Sequence, residues 1–247
     1  MMAIDELLPQ LVDDDPHGLT PLFRQWMVTS RRFRTFAETY QTKIRAKLRS
    51  AGDEEALQDL LFELAIARWL LQEKRFQLAY EQQPVRTAPG PDFTVTFTTK
   101  TSFHVEVTRI RTSAPAEDST ASPIELYSNK LLQVILGKLM QVRSGAANLL
   151  LIGVAPAFVA GVDLDALVKQ MKQRIANSDP AFLTRHRLQT SSEFFKRYHA
   201  LSGILLYVSA TPPPPAMIAP LLWLNKEAKY PLLAQIQTSL RQLPLNE

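Results

Sequence analysis

Asp92-Phe93-Thr94-Val95-Thr96-Phe97 and Phe103-His104-Val105-Glu106-Val107-Thr108, separated by a short connection at Thr99 to Thr101, decide the fold class of this chain. Both runs alternate apolar and polar residues, and Pro89-Gly90-Pro91 opens the first. Period two bounded by turn residues predicts an antiparallel hairpin with one buried face. Successive side chains of a strand point to opposite faces, so Phe103, Val105 and Val107 share one face and His104, Glu106 and Thr108 the other. A further strand-like run, Phe76 to Glu81, precedes the hairpin.

Working outward, the residues upstream predict a buried helix. Gly52 marks a stop, and a helix begins near Asp53 with Glu54 and Glu55 suiting the positive end of its dipole. From Leu60 to Leu71 it is apolar except at Glu63 and Arg68, and a helix apolar on nearly every side belongs inside. Downstream, a polar loop from Thr112 to Thr120 leads to Ser122 as N-cap, Pro123 as first helical residue and Glu125 completing a capping box. This helix is expected to reach about Val142, with Leu131, Leu132, Ile135, Leu136, Leu139 and Val142 on its apolar side. Lys130, Gln133, Lys138 and Gln141 make the polar side.

Asn148 to Val154 and Gly203 to Val208 read as fully buried strands. Between them lie an amphipathic helix from Asp163 to Ala176 and a short helical piece from Ser192 to His199. Thr211 to Pro215 reads as a stiff spacer. Leu221 to Leu224 and a final helix follow, expected either to cover the core or to join two subunits, which leaves a homodimer open. The order of helix, three meandering strands, helix and strand predicts an α/β fold, a mixed sheet flanked by helices. One domain is expected over 1–247, with a helical extension at 1–52, an α/β core at 53–210 and a segment at 211–247 packing on that core.

Composition narrows the chemistry. The 247 residues are 46 % hydrophobic and 21 % charged, an ordinary globular balance. Cysteine is absent, which excludes thiolate metal sites, disulfides and a cysteine nucleophile. The four histidines are scattered, and the 8 glycines form neither a dinucleotide-binding nor a P-loop motif. The acidic start, with Asp5, Glu6, Asp13, Asp14 and Asp15, lacks the basic and apolar pattern of a secretory signal. The longest apolar run, Leu149 to Val162, is too short to span a bilayer. No membrane partner and a cytoplasmic location are therefore expected.

Charge is unevenly spread. Arg31, Arg32, Arg34, Lys43, Arg45, Lys47 and Arg49 stand against the single acid Glu38, interleaved with Phe33, Phe36, Tyr40, Ile44 and Leu48 at helical spacing. The stretch reads as one amphipathic helix with a basic outer face. That face serves either as a phosphate-backbone contact surface, through Arg31, Arg32, Arg34, Lys43 and Lys47, or merely as a solvated side.

Three acids occupy places where acids are expensive: Glu63 in the buried helix, Asp92 at the start of a strand and Glu106 between two valines. A reversal between Asp92 and Glu106 can bring the start of one strand beside the end of the next. Two converging carboxylates make a hard-oxygen site suited to Mg²⁺.

Phe62-Glu63-Leu64 in a buried helix, Pro91-Asp92-Phe93 opening a strand and Glu106-Val107-Thr108 closing the hairpin resemble the PD-(D/E)xK nuclease superfamily, which has the restriction-endonuclease-like fold. The likeness covers about Asp53 to Val154. It implies that Asp92 and Glu106 bind Mg²⁺ (or Mn²⁺), that Glu63 assists, and that a lysine two residues after the glutamate activates water. Here that position holds Thr108. Some members take the lysine from the following helix, and Lys138, with Lys130 and Gln141 on the same polar side, is placed to serve. Lys100 is a weaker candidate. The resemblance implies metal-dependent hydrolysis of nucleic acid, DNA in preference to RNA. The alternative is an inactive nuclease-like module that binds DNA or acts as a scaffold.

Overall fold

The alternating runs and the continuous apolar runs assemble into one mixed sheet. A computed structural model of the chain describes residues 2–13, 15–81, 90–111, 123–159, 161–177, 184, 190–208 and 219–244. Ser122, the loop at 112–120, Pro89 and the spacer at 211–215 lie outside the described residues. Six strands run in the order β1 (Phe76–Tyr80), β2 (Phe93–Phe97), β3 (Thr101–Arg109), β4 (Ala147–Val154), β5 (Gly203–Val208) and β6 (Leu221–Leu224). The meander β1-β2-β3 is antiparallel, β3-β4-β5 is parallel, and β6 returns antiparallel on the edge.

Helices cover both faces. One side holds α1 (Ile4–Val12), α2 (Thr20–Thr29), α3 (Arg31–Thr39), α4 (Gln41–Ser50), α5 (Glu54–Leu70) and the last helix, α10 (Ala234–Gln242). The other side holds α6 (Pro123–Leu139), α7 (Pro156–Val159), α8 (Leu164–Ala176) and α9 (Ser191–Tyr198). Alternation along the central strands divides the core between them. Leu149, Leu151 and Leu205 bury under the α5 layer, and Leu150, Ile152, Ile204 and Leu206 under α6 and α8. Burial on both faces is why β4 and β5 read as unbroken apolar runs. Among the described residues no helix is long and apolar enough to cross a membrane.

One local reading is corrected, and one stretch left unassigned gains a place. The basic stretch is two helices, because Tyr40 leaves helical geometry with φ −110° and ψ 18° and serves as both C-cap of α3 and N-cap of α4. Its ring is held against Phe36 and Tyr80, with centroids 5.0 and 5.6 Å away. Apolar spacing continues across the break, so periodicity alone could not reveal it. Leu221 to Leu224 is a strand, its Trp223 paired with Ile204. Gly203 permits that approach, since a Cβ there would lie 2.8 Å from the Trp223 carbonyl oxygen.

Two tethers fix the elements that carry the candidate acids. Glu55, Asp59 and Glu63 form an i, i+4, i+8 stripe along α5. Arg109 of β3 pairs with Glu55 at 2.5 Å and Asp59 at 3.2 Å, and Arg111 pairs with Asp59 at 2.5 Å. The stripe is thus laid beside β3, and its next member, Glu63, is directed toward the hairpin. Beyond α6, Asn148 is only 3 % exposed. Its Nδ2 donates to the carbonyls of Arg143, Ala146 and Ala200 at 2.7, 2.8 and 3.0 Å. These bonds tie β4 to the end of α6 and to the turn before β5. Asn148→Ala strands those carbonyls in the interior. Urea unfolding should show about 2–3 kcal/mol lost, with the midpoint lowered and the slope unchanged.

Candidate carboxylate site

The site forms where the hairpin ends meet α5 and α6. The pairing Phe93↔Val105 places Asp92 opposite Glu106. Just before β2 begins, the Asp92 side chain replaces a ladder partner: the Val107 amide donates to its Oδ2 at 2.7 Å. The Glu81 amide donates to the Asp92 carbonyl at 2.9 Å, bringing the end of β1 to the same point. Glu81 has φ +43°, a left-handed conformation that a glutamate adopts only when its surroundings impose it.

Asp92 lies between two groups of charges. On the α5 side, carboxylate oxygens of Glu63, Glu81 and Asp92 all fall within 4.8 Å of one another. Lys47 of α4 reaches among them, its Nζ donating to Glu63 Oε1 and Oε2 at 2.9 and 3.2 Å and pairing with Glu81 Oε1 at 2.5 Å. Lys43 stands at the rim, 3.6 Å from Glu81 Oε2. On the α6 side, Lys138 Nζ lies 3.5 Å from Glu106 Oε2 and donates to Gln141 Oε1 at 2.9 Å. Asp92 is thus the acid shared by two groups, Glu63 and Glu81 with Lys47 on one side and Glu106 with Lys138 on the other.

Burial and like charge raise the proton affinity of these acids. Glu106 is pushed up to about 7, first by burial and then by Asp92, against the pull of Lys138. Glu63 is raised by burial and by Asp92, with Lys47 opposing. Asp92 is raised by burial, which outweighs the Val107 amide and the charges of Lys138 and Lys47. Burial by itself would lower the Lys47 ammonium, but Glu63 and Glu81 more than offset it and the net direction is up.

The sequence-derived residues divide plainly. Asp92 adjoins Glu63 on the α5 side and Glu106 on the α6 side, and Lys138 and Gln141 stand with Glu106. Thr108 lies half-buried on the Glu106 face of β3, two residues on. Lys130 is two turns before Lys138, about 12 Å along the axis. Lys100 sits in the turn at the far end of the hairpin, about 17 Å from Asp92 along the strand. His104 shares the Glu106 face, but its Nδ1 contacts the Thr94 hydroxyl at 3.2 Å.

The basic stretch is not the continuous outer face that its composition suggests. Arg32 donates to the carbonyls of Leu71 and Glu73 at 2.5 Å and to that of Phe76, closing the end of α5. Lys43 and Lys47 face the acids. Arg45 and Arg49 both pair with Asp13. Arg34 is half-buried, and Arg31 is exposed. The partners are remote in sequence, so the local charge count could not disclose them. Glu81 and Lys47 are the site residues that sequence reading left without a role there. The signal available for Glu81 was an acid closing a strand directly before the Pro-Asp turn.

Hard oxygen donors at this spacing suit Mg²⁺ or Mn²⁺, and the crowded negative charge gives a divalent cation a reason to bind. Asp92 is the acid common to both groups and could hold such an ion with Glu106 opposite it or with Glu63 and Glu81 beside it.

A pH test follows from Glu106. Its folded pKa of about 7 exceeds its ordinary value of 4.5, so the ionised carboxylate destabilises the fold above pH 7. That penalty fades as pH falls from 7 toward 4.5. Glu106→Gln should therefore be more stable than the wild type at pH 8, on the order of 1–3 kcal/mol by denaturant unfolding. The gap should close by pH 4.5. Equal stability of the two proteins at pH 8 would show that Glu106 is not held against its charge.

Compared with protein-family models, curated proteins and solved structures, the chain matches none, so the chemistry of this site is read from its own residues.

Proposed function

We propose that this chain hydrolyses phosphodiester bonds in nucleic acid, DNA in preference to RNA, with Mg²⁺ or Mn²⁺ as cofactor and a core of the restriction-endonuclease-like type. The observation that supports the reading is the position of Asp92 between Glu63 and Glu81 on one side and Glu106 on the other, with the Lys138 amine 3.5 Å from Glu106. The type and order of Glu63, Asp92 and Glu106 are those of the PD-(D/E)xK resemblance, and Lys138 supplies the positive charge that Thr108 lacks.

Asp92 and the carboxylates flanking it would hold the cation. A divalent cation there supplies Lewis acidity toward water and the phosphate. The remaining chemistry falls to the side chains. Glu106 would hold the cation from the side of Lys138, and the attacking water would lose its proton to solvent. The water oxygen forms a bond to phosphorus while the bond from phosphorus to the strand's leaving oxygen breaks, and that oxygen takes a proton from solvent. Lys138 faces the negative charge that develops on the phosphoryl oxygens, and Gln141 orients its ammonium. Glu63 holds Lys47 and adds negative potential beside Asp92.

The second reading, an inactive nuclease-like binding module, draws on Thr108 and on a Lys138–Glu106 contact at the long end of an ion pair. Cleavage of single- and double-stranded DNA with Mg²⁺ or Mn²⁺ separates the two. Asp92→Asn is the sharper variant, because an amide oxygen can still accept from Val107. It should lose roughly 100-fold or more in rate, as should Glu106→Gln, and Lys138→Ala about 10- to 100-fold. Cleavage that survives both carboxylate substitutions would sink the assignment. DNA retention that weakens with salt, without cleavage, would favour the module.

A further inference from the structure

We propose that the uncovered face of the β1-β2-β3 meander is a subsite for the phosphodiester backbone of one nucleic-acid strand, with His104 Nε2 donating to a phosphate. The inference rests on the nucleic-acid reading above and deepens it by placing the strand beside the carboxylates.

The two faces of the meander differ. Phe76, Tyr80, Phe93 and Phe103 bury under the α5 layer. The opposite face presents Gln77, Thr96 and Ser102 in one cross-strand row and Ala79, Thr94 and His104 in the next. All six are half-buried or exposed, and the apolar core beneath α6 and α8 takes no residue from β1, β2 or β3. An antiparallel sheet can leave one face to water in this way. The following row holds Asp92 and Glu106, so the open face runs directly into the carboxylates. His104 and Glu106 are next neighbours on one face of β3, about 6.8 Å apart along the strand, close to the separation of neighbouring phosphates in a nucleic-acid strand.

His104 is held for such a contact. Its Nδ1 lies 3.2 Å from Thr94 Oγ1. Among the described residues Nε2 has no hydrogen-bond partner, and it is open to solvent. Burial and the nearby Arg143 charge lower the proton affinity of the ring, so at pH 7 it is neutral with one hydrogen to place. Phosphodiester oxygens only accept, which selects the form in which Thr94 donates to Nδ1 and Nε2 carries the hydrogen. The surrounding charge suits a polyanion. Arg143 acts on both His104 and Glu106, and its backbone is fixed by Asn148. Lys138 stands at Glu106, and Lys100 is exposed in the turn at the far end. Between Glu106 and that turn, this face of β2 and β3 carries no acid. A strand laid along β3 would thus pass from Lys138 over His104 and Ser102 toward Lys100.

The test is the anisotropy of a fluorescein-labelled single-stranded DNA oligonucleotide titrated with the full chain in EDTA, comparing wild type, His104→Leu and His104→Gln. His104→Leu should bind about tenfold more weakly, through loss of one hydrogen bond to a charged group. His104→Gln keeps an N–H at the position of Nε2 and should stay within about threefold of wild type. The imidazole nitrogen NMR spectrum of the wild type adds a readout that a packing role would not move. The Nε2 signal of His104, identified by its loss in His104→Gln, should shift when the oligonucleotide is added, while those of His17 and His199 stay. Binding undiminished in His104→Leu, or a bound oligonucleotide that leaves the Nε2 signal in place, overturns the subsite, whereas cleavage in Mg²⁺ would still uphold the hydrolysis reading. A wild type that binds no oligonucleotide overturns the subsite as well, and takes the hydrolysis reading with it if Mg²⁺ brings no cleavage. Binding through His104 without cleavage upholds the subsite and leaves the inactive module.

Discussion

The Val107 amide donating to Asp92 at 2.7 Å is the contact on which the site depends. It joins the residue before β2 to the middle of β3, so the carboxylate is both a structural acceptor and a charge aimed at its neighbours. Because β2 and β3 pair with Phe93 opposite Val105, Asp92 has Glu106 across from it. The Glu81 amide bond to the Asp92 carbonyl then draws in the end of β1. The end of β1, the residue before β2 and the middle of β3 thus bring Glu81 and Glu106 to either side of Asp92, and α5, tethered through Arg109 and Arg111, adds Glu63 beside Glu81.

Such crowding opposes stability. Raised proton affinities at Glu63, Asp92 and Glu106 mean that the folded chain holds charges it would rather neutralise. Glu81 adds a left-handed backbone conformation. Proteins tolerate several adverse features in one place when the surrounding fold over-determines them, and such concentrations belong to functional sites more often than to structural ones. Here the over-determination comes from a sheet whose parallel centre is buried on both faces and from helices tied to it by buried or paired polar groups.

Much of the element order was legible from periodicity. Alternation marked β2 and β3, continuous apolar runs marked β4 and β5, and an apolar helix with a single acid among its leucines marked Glu63 as anomalous. What escaped was non-local. Tyr40 breaks the basic stretch because its ring packs on Tyr80, forty positions away in sequence. Lys47 and Arg45, two residues apart, go to Glu63 and to Asp13. Leu221 to Leu224 becomes a strand because Gly203 lets it approach β5 closely.

By itself the sequence determined the kinds of chemistry open to this protein. A chain without cysteine, with scattered histidines and no phosphate-cradling glycine loop, must build a polar site from carboxylates, amines and hydroxyls. It also determined which acids stand in costly surroundings, since burial follows from the apolar pattern around them. Only the tertiary structure decided which charges meet. Ion pairing acts through a few ångströms of space, whereas hydrophobic periodicity is written along a few turns or strands of chain. That difference is why Glu63, Asp92 and Glu106 could be picked out one by one, while Glu81 and Lys47 became visible only with the fold.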